Sequence, residues 1–195
     1  LDAAFNVLLQ ATRNGRIPGA VGAIVTREGI IDCRAFGYRS LAPVRLTMER
    51  DTMFDLASLT KMVVTNTSLC ILLDQKKLRL NDQVSDYLPE FNTVEKKRIQ
   101  IAQLITHTTG FPSWKPLYRN FRGREQILQA IVETPLETQP GRRHRYSDLS
   151  MIILGMVIEN VTGQSLDVYA TEKIFRPLGM LETGYVPREE NRQWC

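Results

Sequence analysis

The sequence predicts an α+β fold, and three observations carry the prediction. Residues 1–14 have helical spacing and are followed by two strand-patterned runs, 20–26 and 30–37. From residue 57 to about 174 nearly every periodic segment is helical. Two strands do not make a stable sheet by themselves. The pattern therefore places a helical domain as an insertion beside a sheet, and not an alternation of strand and helix.

Each element follows from its own pattern. Apolar Leu1, Ala4, Phe5, Leu8 and Leu9, continued by Ala11 or Thr12, repeat with the period of an amphipathic helix that Gly15 closes. Ala20-Val21-Gly22-Ala23-Ile24-Val25-Thr26 and Ile30-Ile31-Asp32-Cys33-Arg34-Ala35-Phe36-Gly37 flank the turn signal Arg27-Glu28-Gly29, which reads as a β-hairpin. After Lys61 the chain carries no charge until Asp74, as expected of a helix buried on most faces, with Cys70 in its core. Further helices are expected at 101–106, 125–133, 148–161 and 166–175. The resulting domains are 1–54 (helix and hairpin), 55–180 (helical) and 181–195 (start of a return to the sheet).

The chemistry begins at Ser58-Leu59-Thr60-Lys61. Residues three apart share one face of a helix, so the Ser58 hydroxyl and the Lys61 amine meet without help from the rest of the chain. A nucleophile and its base are thereby prepositioned. Only a neutral amine can take a proton, and at an ordinary pKa of about 10.4 very little lysine is neutral at pH 7. Burial on an apolar helix is expected to lower that value and to make Lys61 the base for Ser58, alone or sharing the proton with Tyr146. On that expectation Lys61→Arg is as inactive as Lys61→Ala.

Around this tetrapeptide lie Ile17-Pro18-Gly19-Ala20, Phe54-Asp55-Leu56-Ala57, Leu78-Arg79-Leu80-Asn81-Asp82 and Tyr87-Leu88-Pro89. Leu104-Ile105-Thr106-His107-Thr108-Thr109-Gly110, Tyr146-Ser147-Asp148 and Arg176-Pro177-Leu178-Gly179-Met180 follow. In order and spacing these segments resemble the serine β-lactamase and penicillin-binding-protein superfamily, most of all its class C β-lactamase, esterase and D-aminopeptidase branch. The resemblance runs over nearly the whole chain. It implies a β-lactamase/transpeptidase-like fold, an antiparallel sheet flanked by helices plus a helical domain. It also implies acyl transfer through Ser58, with Tyr146 as the acid/base that protonates the leaving group. The family's third motif, a Lys or His followed one residue later by Gly on a returning strand, is missing. The C-terminal strands are therefore expected to be absent from this chain, which by itself is expected to be inactive.

Asp148 departs from the lactamase pattern, which has Asn there. An amide can donate to a substrate carbonyl and an ionised carboxylate cannot, so Asp148 reads as a substrate-binding position ill suited to β-lactams. Its alternative role is N-cap of the helix that follows. His107, before Thr108-Thr109-Gly110, reads as a helix C-cap.

Composition excludes several other classes. With 43% hydrophobic and 24% charged residues in 195, the chain has the balance of a globular protein. The longest apolar run, 151–158, is interrupted by Gly155 and falls far short of the roughly 20 residues a bilayer requires. The net charge of +4 gathers partly in Lys96-Lys97-Arg98 and Arg142-Arg143-His144-Arg145, expected as solvated loops without the interleaved aromatics of a nucleic-acid surface. The second cluster lies just before Tyr146 and suits attraction of an anionic substrate. Three cysteines without paired spacing imply neither a disulfide framework nor a zinc site. The expected protein needs no metal or organic cofactor, and its partner is a small-molecule or peptide ester or amide. A start at Leu1 leaves leader and localisation open. A catalytically silent ligand-sensing or cell-wall-binding homologue is the alternative, against which three retained catalytic residues weigh.

Overall fold

A computed structural model describes residues 1–187. Chain contacts divide it into two compact units, Leu1–Asp55, to which the chain returns at Val186, and Leu56–Tyr185.

In the first unit, helix α1 (Asp2–Arg13) precedes strands β1 (Gly19–Thr26), β2 (Gly29–Ser40) and β3 (Leu46–Thr47), all antiparallel in the order β1-β2-β3. The hairpin pairs Gly19 with Gly37 and Thr26 with Gly29, and its turn is closed by Arg27 and Glu28 alone. The two-residue strand β3 carries no sequence signal of its own. Phe5 of α1 is buried on the sheet, 6.2 Å from the Phe36 ring, and the Arg34 guanidinium lies 4.4 Å above it. Gly22 makes this approach possible, since a Cβ there would come within 2.7 Å of the Leu8 side chain.

The second unit is helical. A π-helical turn (Lys61–Asn66) leads into α2 (Thr67–Asp74), followed by 3-10 turns at Val84–Asp86 and Pro89–Phe91. Helices α3 (Ile101–Ile105), α4 (Leu117–Asn120), α5 (Gly123–Val132), α6 (Asp148–Thr162) and α7 (Leu166–Ala170) complete it, α7 passing into a second π-helical turn (Thr171–Phe175). The π-turn after Lys61 inserts an extra residue into the helical repeat. Ser68, Leu69 and Leu72 consequently face the core, while Cys70, expected in that core, is exposed. Lys96, expected in a solvated loop, is also buried; its stem covers apolar surface and its ammonium reaches Glu95 at 3.5 Å.

Helix α6 is the axis of this unit. Leu149, Ile153, Leu154, Val157 and Ile158 are fully enclosed by residues such as Leu72, Phe91, Leu104, Phe111 and Ile131, which explains the apolar run at 151–158. Among the described residues no single helix is long and apolar enough to cross a membrane. Gly163 ends α6 at φ +68°, a left-handed position that suits glycine. Because the packing leaves little room to collapse, Leu154→Ala is expected to cost about 2–5 kcal/mol. Urea denaturation of the full-length protein measures this, and a loss below about 1 kcal/mol would contradict the enclosure described.

Candidate active site

Four side chains from two distant stretches meet at the start of the α2 segment. Ser58 lies in the turn before the helix, where Leu59 N–H reaches the Leu56 carbonyl at 2.8 Å and Lys61 N–H reaches the Ser58 carbonyl at 3.1 Å. Ala57, immediately before it, has φ +43°, a left-handed conformation that disfavours a β-carbon. Strained backbone of this kind gathers at functional positions. The Ser58 side chain stands exposed, with Lys61 Nζ donating to its Oγ at 3.0 Å, as the three-residue spacing predicts.

The second stretch is laid down by a ladder of long-range hydrogen bonds. Glu137 N–H bonds Gly110 O at 2.8 Å, Gly141 N–H bonds Thr108 O at 2.7 Å, and Asp148 N–H bonds Ser113 O at 2.9 Å. Ser147 Oγ donates to Pro112 O at 2.8 Å, and the buried Thr109 and Ser150 hydroxyls bond at 2.8 Å. Segment 107–113 is thus a bed for segment 137–150, and it delivers Tyr146 and Asp148 to Lys61.

Tyr146 is 46% exposed, so its phenol is open to a substrate, and its ring lies 5.0 Å from Lys61 Nζ. A hydrogen bond from Lys61, then one from Ser58, hold the phenol below its ordinary value of about 10. Asp148 Oδ1 lies 2.9 Å from Lys61 Nζ. This contact corrects the sequence expectation for Lys61. Burial does push the ammonium down, but the hydrogen bonds to Asp148 and Tyr146 and their negative charge outweigh it, and Lys61 titrates above its ordinary value. The helix is dry enough, yet the nearest charge decides. Asp148 is also not the N-cap of α6: Ser147 is, its Oγ accepting the Ser150 N–H at 3.4 Å, and Asp148 occupies the first helical position, favourable for an anion.

The sequence underweighted His107. The C-cap of α3 is Thr106 and not His107, which the sequence suggested; His107 takes the next position at φ +55°, and its ring is 4.7 Å from that of Tyr146. Spacing holds no signal for that contact. Among the described residues no three His, Cys, Asp or Glu side chains cluster as metal ligands.

A family model described as Beta-lactamase matches residues 3–195. A protein of Escherichia coli (strain K12) named "Putative D-alanyl-D-alanine carboxypeptidase" is 40% identical over 159 residues, covering 74% of this chain and 36% of that protein. The protein of the same name from Salmonella agona (strain SL483) is 38% identical over 184 residues, covering 84% and 42%. Among solved structures, EstCE1, described as a hydrolase with promiscuous acyltransferase activity, superposes with a TM-score of 0.79 at 30% identity, covering 96% of this chain and 53% of its own. A β-lactamase/D-alanine carboxypeptidase from Pseudomonas syringae gives 0.83 at 22% identity, covering 98% and 54%, a likeness of fold. The chain spans well under half of these curated relatives and about half of these solved chains.

Proposed function

The chain belongs to the β-lactamase family of serine hydrolases, and from that premise we propose that the whole protein cleaves an ester or amide through an acyl-Ser58 intermediate, with Tyr146 as its acid/base and Lys61 as the cation that supports it. One observation carries the proposal: Lys61 Nζ lies 3.0 Å from Ser58 Oγ and 5.0 Å from the Tyr146 ring, so that nucleophile, ammonium and phenol share one site.

In this scheme Ser58 Oγ attacks the substrate carbonyl carbon and its proton passes to the Tyr146 phenolate, which the Lys61 ammonium stabilises. The negative charge that builds on the carbonyl oxygen meets the Ser58 N–H, which no carbonyl accepts among the described residues. Collapse of the tetrahedral species breaks the bond to the leaving alcohol or amine, which takes the proton from Tyr146. Water then attacks the acyl-enzyme, Tyr146 takes its proton, and that proton returns to Ser58 as the acid product leaves. The direct test is turnover by the full-length protein of an activated ester, a chromogenic cephalosporin and a D-alanyl-D-alanine peptide. No turnover of any, with Ser58 unlabelled by acyl and phosphonate probes, would reject the scheme in favour of a binding role.

Asp148 gives a separate expectation. Its carboxylate accepts hydrogen bonds and raises Lys61, whereas Asn donates and carries no charge. Asp148→Asn is therefore expected to shift kcat/KM toward cephalosporin and away from ester by about tenfold, the worth of one hydrogen bond. It is also expected to move the alkaline limb of the profile to lower pH, since Lys61 loses the group that holds its proton. An unchanged alkaline limb would show that the ion pair does not act on turnover.

A further inference from the structure

His107 sits where a helix ends in the left-handed region. Its φ is +55°, its N–H bonds Leu104 O at 3.2 Å, and the next N–H, of Thr108, bonds Gln103 O at 2.9 Å. This doubly bonded helix ending favours Gly or Asn, and a histidine there is strained. The contacts of this one residue give the strain a use. Its carbonyl accepts the Arg145 N–H at 2.8 Å, its ring lies 4.7 Å from Tyr146, and its Nδ1 accepts the Ser147 N–H at 3.2 Å. Residues 145, 146 and 147 are each gripped by His107.

We propose that neutral His107 is a positioning residue that holds the Tyr146 phenol against Ser58 and Lys61, and that protonation of its ring releases this grip. The inference rests on Tyr146 acting as the acid/base. Nδ1 can accept only while its lone pair is free, and an imidazolium offers donors at both nitrogens. A protonated ring therefore sets a donor against the Ser147 N–H and withdraws one of the three holds. The groups facing the ring are His144, with its centroid 6.1 Å away, Lys61, Asp148 and Tyr146; the nearby Arg145 guanidinium is engaged by Glu137 at 2.5 Å. Burial first, then the charges of His144 and Lys61, hold the imidazole below its ordinary value, with Asp148 opposing. The neutral, gripping form is thus the resting form at neutral pH and is lost as pH falls below the usual imidazole range of about 6.5.

The test uses the full-length protein with an ester substrate, comparing wild type, His107→Ala, His107→Asn and Tyr146→Phe. Asn tolerates the left-handed backbone and places an acceptor oxygen near the Nδ1 position. Activities are normalised to the fraction of Ser58 labelled by a phosphonate, so that unfolded protein does not count. His107→Ala is expected to lose about 10- to 100-fold in kcat with KM little changed, as for a catalytic group displaced by about an ångström, and His107→Asn to recover most of it. On the acid side, log kcat/KM of the wild type is expected to steepen beyond unit slope as both Tyr146 and His107 gain protons, while His107→Asn keeps unit slope. A wild-type kcat in His107→Ala, or identical acid limbs in wild type and His107→Asn, would overturn the proposal. If His107→Ala does not fold, the limb of His107→Asn decides alone. A fully active Tyr146→Phe would sink the acid/base role itself, whereas an impaired Tyr146→Phe beside an unchanged His107→Asn limb sinks only the role of His107.

Discussion

Ser58→Ala is expected to remove essentially all turnover from the full-length protein, by roughly 10⁵-fold or more in kcat, the scale seen when a serine nucleophile is deleted. The loss is expected without a loss of fold. The Ser58 side chain is exposed, and its part in starting the helix is played by its backbone carbonyl, which accepts the Lys61 N–H at 3.1 Å and survives the substitution. Melting temperature and kcat should therefore separate. The same variant should no longer take up a phosphonate probe, which in the wild type is expected to label Ser58 and no other serine. An adduct on another residue, or a variant that keeps more than about 1% of wild-type kcat, would assign the nucleophile elsewhere.

Substitutions of Lys61 come second in size, and the structure changes what they should show. Lys61→Ala is expected to lose about 10²- to 10⁴-fold in kcat, the usual range for an acid/base group. From the sequence, Lys61→Arg should be equally inactive, because a guanidinium does not give up its proton. With Asp148 at 2.9 Å and the Lys61 proton held more firmly than usual, the task proposed for its ammonium is in part to hold the Tyr146 phenol low. Arginine keeps that charge. Lys61→Arg is accordingly expected to retain at least about tenfold more activity than Lys61→Ala, and to fall short of wild type because a planar guanidinium does not reproduce the compact ammonium between Ser58 and Asp148. Equal losses in the two variants would restore the neutral amine as the base.

The pH profile carries the same distinction. Tyr146 is held below its ordinary value and Lys61 above its own. Activity that needs a phenolate beside an ammonium rises through a pH below about 10 and falls only above about 10.5, where Lys61 loses its charge. Tyr146→Phe should remove the rising limb together with about 10²- to 10⁴-fold of kcat. A rising limb that persists in Tyr146→Phe would belong to another group.

The sequence by itself determined the features that depend on near neighbours. The spacing of Leu1, Phe5 and Leu8 places α1, the runs around Arg27-Glu28 place the hairpin, and the apolar stretch before Glu159 places α6. The three-residue separation of Ser58 and Lys61 alone brings hydroxyl and amine together, because helical periodicity is a local rule. Tyr146 was reached only through family resemblance; its surroundings, a basic loop before a helix, favour an ordinary half-buried aromatic. Tertiary structure decided everything that rests on how segment 137–150 lies on segment 107–113. It set Asp148 against Lys61, which reversed the expected charge state, gave the α6 cap to Ser147, and brought His107 to Tyr146. The π-turn after Lys61 likewise carried Cys70 out of the core. These contacts join residues far apart in the chain through irregular loops, where no period relates one side chain to another. The field at Lys61 depends on distances of a few ångströms that only the folded path of those loops supplies.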